Sequence, residues 1–412
     1  MSDQSAEMIS EHTPLNVVVG VAGGIAAYKA CHLVREFTEA GHSVRVVPTP
    51  AALSFVGAAT FEALSGNPVD TGVFAKVDEV QHVRVGKEAD LIVIAPATAD
   101  TIARIAAGRA DDLLTATVLV ATCPVVLAPA MHTEMWENPA TRDNVATLRR
   151  RGVIVLEPAH GRLTGTDTGA GRMLEAEQIA EMARTVVKRG RFERSLEGKK
   201  VVISAGGTQE NIDPVRFIGN RSSGRQGFAL ADIAVHRGAD VTIVAGATDE
   251  LFTPPGANIV RVRSTRDMEQ AVNDAAEGAD IVIMAAAVAD YRPEEEATSK
   301  LKKGQADDSL STVKLVENPD ILKGLVDKHV PATIVGFAAE TDTPLEHGKA
   351  KLARKGADML MVNDVSGGKV FGEKRNSGWL LSKDGGVEEV ADGTKHEVAA
   401  GIWDAIEKLL PN

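Results

Sequence analysis

At 412 residues the chain exceeds what one hydrophobic core commonly serves, so two domains are expected. With 44% hydrophobic and 25% charged residues it has the composition of a globular protein, not of a disordered or fibrous one. A net charge of −12 argues against nucleic acid as a partner, although a local basic site for a small anion stays open. Two cysteines, Cys31 and Cys123, exclude a disulfide scaffold and fit a reducing, cytoplasmic setting. The polar start, residues 1–14, has no basic stretch followed by an apolar core, so it reads as a disordered terminus and not as a signal peptide. Longer apolar stretches such as Leu113–Ala130 are broken by Thr, Cys and Pro, which argues against membrane spans.

In chain order, Asn16–Gly20 reads as a strand, Ala26–Ala40 as a helix and Ser43–Val47 as a second strand. Buried strands follow at Leu91–Ala95, Val125–Ala128 and Val153–Leu156, with helical stretches between them. Such alternation implies a parallel sheet with crossover helices. Residues 187–199 are charged and poor in apolar side chains, which marks a linker between a domain at 15–190 and one at 191–412. The second run has strands at Val201–Ala205, Asp240–Ala245, Asp280–Ala285, Thr333–Phe337 and Asp358–Val362, and a helix at Gly224–Arg237. A late strand at Trp379–Ser382 and a helix at Lys395–Leu410 close it. The polar stretch from Tyr291 to Val316 has little periodicity and reads as a long functional loop. The fold class is α/β, with two Rossmann-like three-layer domains and mainly parallel sheets, the first flavodoxin-like.

The first Gly-rich loop, Gly20-Val-Ala-Gly23-Gly24-Ile25, follows a strand and opens a helix, where free N–H groups favour a phosphate. Its spacing is not GxGxxG, and the second strand ends Val47-Pro48-Thr49-Pro50 without the acidic residue that a dinucleotide ribose needs. One phosphate fits better than a pyrophosphate, which disfavours a pyridine-nucleotide oxidoreductase. Three further segments stand out: Gln81-His82-Val83, Ala95-Pro96-Ala97-Thr98, and Pro129-Ala130-Met131-His132-Thr133-Glu134-Met135-Trp136. The last two directly follow apolar strands, where α/β proteins place ligands.

As a set, these residues resemble the homo-oligomeric flavin-containing cysteine decarboxylases, in particular the phosphopantothenoylcysteine decarboxylases. The resemblance implies that Gly23–Lys29, including Gly23, Gly24 and Ile25, and Thr49 hold the phosphate of FMN. It implies that Ala97 and Thr98 line the flavin and that His82 is the active-site base. Two departures stand out. The family's PxMNxxMW pattern has Asn, a grip on the substrate carboxylate, where this chain has His132, whose imidazole could fill that role by hydrogen bond or charge. The family's substrate-covering flap carries a Cys proton donor, yet the matching segment, His160–Arg172, has none. Thr164, Thr166, Asp167 or a water would have to replace it, and a flavin-binding domain without decarboxylase activity is the alternative reading.

The second Gly-rich region is a long loop, Gly206-Gly207-Thr208 through Arg216 and Asn220 to Ser222-Ser223-Gly224. Glycines and hydroxyls at both ends could wrap a triphosphate, with Ser222 or Ser223 capping the following helix. Ala285-Ala286-Ala287-Val288-Ala289-Asp290-Tyr291 is a buried strand ending in a carboxylate, and Lys300-Leu301-Lys302-Lys303 puts three cations on a loop. These patterns resemble the phosphopantothenate–cysteine ligases, in the CTP-dependent form that bacteria fuse to the decarboxylase. The resemblance implies that CTP contacts Gly206, Gly207, Thr208, Ser222, Ser223, Gly224, Ala286, Asp290 and Lys300. It adds Pro319, Asp320, Ile321, Leu322, Phe337, Lys351 and Lys355. Arg216 and Asn220 handle the 4′-phosphopantothenoyl cytidylate, Lys300 assists its formation, and Mg²⁺ accompanies the triphosphate with protein ligands unknown. Cysteine is the second substrate. Trimeric decarboxylase sites and paired ligase domains together imply a homo-oligomer, a dodecamer.

Overall fold

The computed structural model describes residues 13–70, 81–163, 167–189, 192–301, 312–340, 343–364 and 375–410. The chain divides between Glu193 and Arg194 into two compact units. The helix that closes the first unit continues to Arg189, so the charged stretch read as a linker begins as helix. It does so because Ile179, Ala183 and Val186 form one buried face, which outweighs the charges on the other.

The first unit has strands β1 Asn16–Val21, β2 Ser43–Pro48, β3 Leu91–Ala97, β4 Val125–Pro129 and β5 Ile154–Val155, then a hairpin, β6 Ala159–Arg162 and β7 Thr168–Arg172. Its helices are α1 Ala30–Glu39, α2 Ala58–Ser65, α3 Gln81–Glu88, α4 Ala99–Ala106, α5 Leu113–Val120, α6 Thr133–Glu137, α7 Pro139–Arg150 and α8 Ala176–Arg189. The sheet is parallel, in the order β2-β1-β3-β4-β5, which is the flavodoxin-like arrangement. Both faces are covered, so β3 reads as an unbroken buried run and not as an alternation. The helix expected from Ala26 starts instead as a 3-10 turn, Ile25–Lys29, and becomes α-helical only at Ala30.

The second unit has β8 Lys200–Ala205, β9 Glu210–Asn211, β10 Phe217–Ile218, β11 Asp240–Ala245, β12 Asn258–Arg261, β13 Ile281–Met284, β14 Tyr291–Pro293 and β15 Leu315–Glu317. They are followed by β16 Thr333–Glu340, β17 Met359–Asp364, β18 Arg375–Ser382 and β19 Val387–Thr394. Helices α9 Arg225–His236, α10 Thr265–Ala276, α11 Ile321–Asp327, α12 Pro344–Lys355 and α13 Lys395–Glu407 lie between and after them. The order β12-β11-β8-β13-β16-β17 is parallel and is the Rossmann order, and β18 and β19 extend it antiparallel. Helix α13 folds back on α9, where buried Trp403 donates to Leu230 O at 2.9 Å and buried Arg237 pairs with Asp404 and Glu407. Among the described residues no helix is long and apolar enough to cross a membrane.

The turn after β8 depends on two glycines. Gly206 has φ 78°, and a Cβ there would lie 2.4 Å from Ala247 O. A Cβ on Gly207 would lie 2.7 Å from Asn220 O. Gly206→Ala is therefore expected to destabilise this unit by about 2 kcal/mol or more. Urea unfolding of the full chain measures it, and an unchanged midpoint would show that the turn can relax.

Candidate active sites

β1 and β3 are neighbours, yet the chain leaves β1 toward β2 on one side and β3 toward β4 on the other. Such a reversal opens a crevice at the strand ends. Gly23 lies where a Cβ would be 2.5 Å from Ala51 Cβ, so the loop presses against the turn Pro50–Ser54. Gly24 is extended, and a Cβ on it would meet only Thr98 Cγ2, at 3.6 Å. The loops after β1 and β3 thus lie close enough that a side chain on Gly24 would touch Thr98. No side chain caps the turn Ile25–Lys29, so its first N–H groups remain available beyond β1. Buried Thr49 accepts the Ala52 N–H through Oγ1 at 3.3 Å and keeps its own proton to donate. Thr98 accepts from Thr101 N–H in the same way, and Ala97 is buried at the end of β3.

Lys29 is turned away from this cradle. Its Nζ lies 2.8 Å from Glu175 Oε1 and 3.4 Å from Met173 O, which ties α1 to the segment before α8. Burial pushes the Glu175 carboxyl up, but Lys29 and Arg172 outweigh it and hold it below the usual range. Lys29 is thus engaged by Glu175 and Met173 O, while the N–H groups at the start of the turn Ile25–Lys29 stay uncapped.

His82 stands in the first turn of α3, partly buried, with Nδ1 enclosed and unpartnered. A buried ring nitrogen without a partner is a place for a substrate proton or a water. His132 is exposed and precedes α6 without capping it. The segment that carries His132 is fixed from both sides, because Ala130 N–H donates to Ala97 O at 3.1 Å and Met131 N–H to Gly171 O at 3.0 Å. The β6–β7 hairpin thus sits against the His132 segment, as a flap would. Thr164 and Thr166 lie outside the described residues, whereas Asp167 is exposed at the hairpin. Both cysteines lie elsewhere, and burial pushes their thiols up.

In the second unit the reversal falls between β8 and β13. Gly207 N–H donates to Ala247 O at 2.9 Å, Ala247 N–H returns to Gly207 O at 2.8 Å, and Ala287 N–H donates to Gly206 O at 2.8 Å. The glycines expected to wrap a triphosphate are instead used to join three loops. Thr208 is 1% exposed, with Oγ1 3.1 Å from Thr265 Oγ1 and accepting Ala289 N–H at 2.9 Å, so it too is internal. Neither serine caps α9. The left-handed turn at Gly224 ends the loop, and Ser222 Oγ reaches only the Gly224 N–H, at 3.3 Å. The first N–H groups of α9 stay open toward a cavity of about 180 Å³, which Ser222, Ser223, Gly224, Ala286, Phe337 and Asn363 help to line.

Other expected residues meet in pairs around this crevice. Asn220 Nδ2 donates to Val288 O at 2.8 Å, leaving its oxygen and one N–H unused. Asp320 caps α11 and pairs with Lys355, while Lys351 Nζ is 3.6 Å from Glu340 Oε1. Asp290 and Lys300 are exposed; Lys302 and Lys303 lie outside the described residues. Among those residues no group of three or more His, Cys, Asp or Glu side chains is disposed to hold a metal ion.

Several supporting residues had no role in the sequence reading. Asn318 donates Nδ2 to Ala289 O at 2.9 Å and its N–H to Asp290 O at 2.8 Å, fastening Pro319–Leu322 to the loop after β13. Its place beside Pro319 in a chemistry-bearing run was the available signal. Partly buried Arg104 pairs with Asp111 and Asp112, bracing α4 behind Thr98. Asp213 is fully buried and accepts N–H groups of Val215 and Arg216 at 2.8 Å, Leu301 at 3.2 Å and Arg216 Nη1 at 2.9 Å. It thereby ties Arg216 to the base of the Lys300 loop.

Burial pushes the Asp213 carboxyl up, but those N–H groups and the Arg216 guanidinium outweigh it and hold it below its ordinary value. The charged tether is complete above the unfolded carboxylate value of about 4 and is lost as pH falls through the lower folded value. Asp213→Asn keeps the shape and removes the charge. Amide exchange at Leu301 and Arg216 is expected to quicken by roughly tenfold, with β8 unaffected. Equal protection in the variant would show that other contacts hold the loop.

A flavoprotein family model matches residues 5–188, and a model of the DNA/pantothenate metabolism flavoprotein C-terminal domain matches residues 196–410. A coenzyme A biosynthesis bifunctional protein CoaBC of Mycolicibacterium smegmatis is 57% identical over 405 residues, covering 96% of this chain and 97% of that one. Its counterpart from Vibrio parahaemolyticus is 45% identical over 400 residues, covering 96% and 98%. A crystal structure of the C-terminal domain of a CoaBC protein is 38% identical, covers 53% of this chain and 98% of that chain, and has a TM-score of 0.45. With family models on both units and likeness along nearly its whole length, the chain belongs to the family of coenzyme A biosynthesis bifunctional proteins.

Proposed function

We propose that the unit from Arg194 onward joins cysteine to 4′-phosphopantothenate using CTP, and that the unit up to Glu193 decarboxylates the product to 4′-phosphopantetheine with FMN. The observation that carries the ligase reading is the β8–β13 crevice, where Ser222, Ser223, Ala286 and Phe337 line one cavity, with Asn220 bonded to Val288 O nearby in the chain and Asp213 tying Arg216 to the base of the Lys300 loop. A carboxylate is a poor electrophile and needs activation. The 4′-phosphopantothenate carboxylate attacks the α-phosphate of CTP, pyrophosphate leaves, and an acyl-cytidylate forms. Lys300 offsets the charge that grows on the α-phosphate. Asn220, oriented by Val288 O, uses its remaining N–H and its oxygen on the cytidylate, with Arg216 beside it. The amine of cysteine then displaces CMP. Pro319–Leu322, Phe337, Lys351 and Lys355 complete the nucleotide contacts, and Mg²⁺ rides on the triphosphate.

The first crevice suits FMN: the turn N–H groups are uncapped, Thr49 retains a proton to donate, and Gly24 brings bare backbone beside Thr98. FMN would supply a two-electron sink there. Thr98 and Ala97 would help to hold FMN, His82 would take a proton from substrate at its unpartnered ring nitrogen, and His132 would hold the substrate carboxylate beside the β6–β7 hairpin. Exposed apolar side chains suit assembly into a cytoplasmic homo-oligomer. Ile25 and Tyr28 are 62% and 55% exposed near the first site, and Val215 and Phe217 are 60% and 48% exposed near the second. Trimers of the first unit and dimers of the second give a dodecamer.

The test is a coupled assay from 4′-phosphopantothenate, cysteine and CTP, with mass detection of each intermediate. Asn220→Asp is expected to consume CTP and accumulate the cytidylate; amide formation at the wild-type rate would remove Asn220 from that role. His82→Ala is expected to keep a yellow flavin spectrum while carbon dioxide release falls roughly a hundredfold to ten-thousandfold. If the wild type released no more carbon dioxide than this variant, the first unit would be a flavin-binding domain without the activity.

A further inference from the structure

On one wall of the β8–β13 crevice, four polar groups from distant parts of the chain stand in line. The Lys395 backbone carbonyl, at the start of α13, accepts from Gln226 Nε2 of α9 at 3.3 Å. Asn376 Nδ2, on β18, donates to Gln226 Oε1 at 3.3 Å and to Asn363 Oδ1, on β17, at 3.1 Å. All four residues line the cavity beside Ser222 and Ser223.

A side-chain amide can be turned end for end with little change of shape, so its polarity follows from its partners. Here one end of the line is a backbone carbonyl, which can only accept. It obliges Gln226 to present its amino group to Lys395 and its oxygen to Asn376. Asn376 must then donate, and Asn363 must accept. Turning any one amide would set oxygen against oxygen or amino group against amino group.

The effect falls on the far end. With its oxygen taken, Asn363 keeps Nδ2 for the cavity. Asn376 is 3% exposed, and its own Oδ1 is enclosed without a partner. An unpartnered buried oxygen is costly, so the line imposes this orientation on Asn376. We propose that Asn376 is a positioning residue, which carries the polarity of the Lys395 carbonyl to Asn363 and so holds the Asn363 amino group as a donor to the phosphates of the bound nucleotide. The inference rests on the reading of this crevice as the CTP site. It adds a second wall of donors opposite the open N–H groups of α9.

A double-mutant cycle in the full chain tests it, read as pyrophosphate release from CTP. Asn376→Leu is close in size and cannot donate, so Asn363 is no longer held. The KM for CTP is expected to rise roughly tenfold, with kcat and the KM for 4′-phosphopantothenate within about threefold of wild type. Asn363→Ala is expected to raise the CTP KM similarly, and adding Asn376→Leu to it should change nothing more. Additive effects, or an equal rise in the KM for 4′-phosphopantothenate, would overturn the proposal. Gln226→Leu cuts the line one residue upstream and serves as the test if Asn376→Leu does not fold. An unchanged CTP KM in that variant would also overturn it. A wild-type chain that released no pyrophosphate from CTP would fail the CTP reading alone. The same cycle with the triphosphate it does turn over then decides the role of Asn376.

Discussion

The second unit depends on the backbone stitching at Gly206–Gly207. At the end of a parallel sheet the ladder of hydrogen bonds stops, and the loops that leave it must satisfy their polar groups in some other way. Here the ladder is carried past the last residues of β8 by bridges from Gly207 to both Ala247 and Ala287. That extension brings the loops after β8, β11 and β13 into one frame with no side chain between them. Asn220, Val288 and Thr208 then have fixed places, because each is bonded to or packed on the stitched backbone. Glycine is needed here for closeness of approach.

Charge is treated differently in the two crevices. In the first, the cation nearest the loop, Lys29, is spent on Glu175, and the cradle is left to N–H groups and hydroxyls. In the second, Lys351 and Lys355 are each held near a carboxylate, Glu340 and Asp320. Partly exposed pairs of this kind are worth only about 1 kcal/mol or less. Breaking either pair would therefore cost little, and the carboxylates keep both lysines placed.

Much of this was legible in the sequence because it is local. The strands of both sheets show as short apolar runs, and the loops that matter follow them directly. His82, His132, Asn220 and Asp290 stand in runs whose composition is odd for plain structure. Roles that depend on distant partners could not be read in that way. Asp213 serves Leu301, 88 positions away, and Asn376 serves Gln226, 150 positions away. Gly206, Gly207 and Thr208 looked like ligand contacts because glycine and hydroxyl residues serve close backbone approach and phosphate binding alike. Only the positions of Ala247, Ala287 and Thr265 distinguish the two uses.

The same contrast explains why loops as polar as these stay ordered enough to hold a site. A loop gains order from groups that make several hydrogen bonds at once. Fully buried Asp213, with donors from Val215, Arg216 and Leu301, does this for the loop before α9. Asn318, with Ala289, Thr265 and Asp290, does it for the segment before α11. Neither need touch a reacting atom. Each converts the conformational entropy of a long loop into a small set of charge-assisted or buried bonds. Asn220, Asp290 and Lys300 are left exposed and lightly bonded at their side chains, because the order of these loops is supplied by the buried groups beneath them.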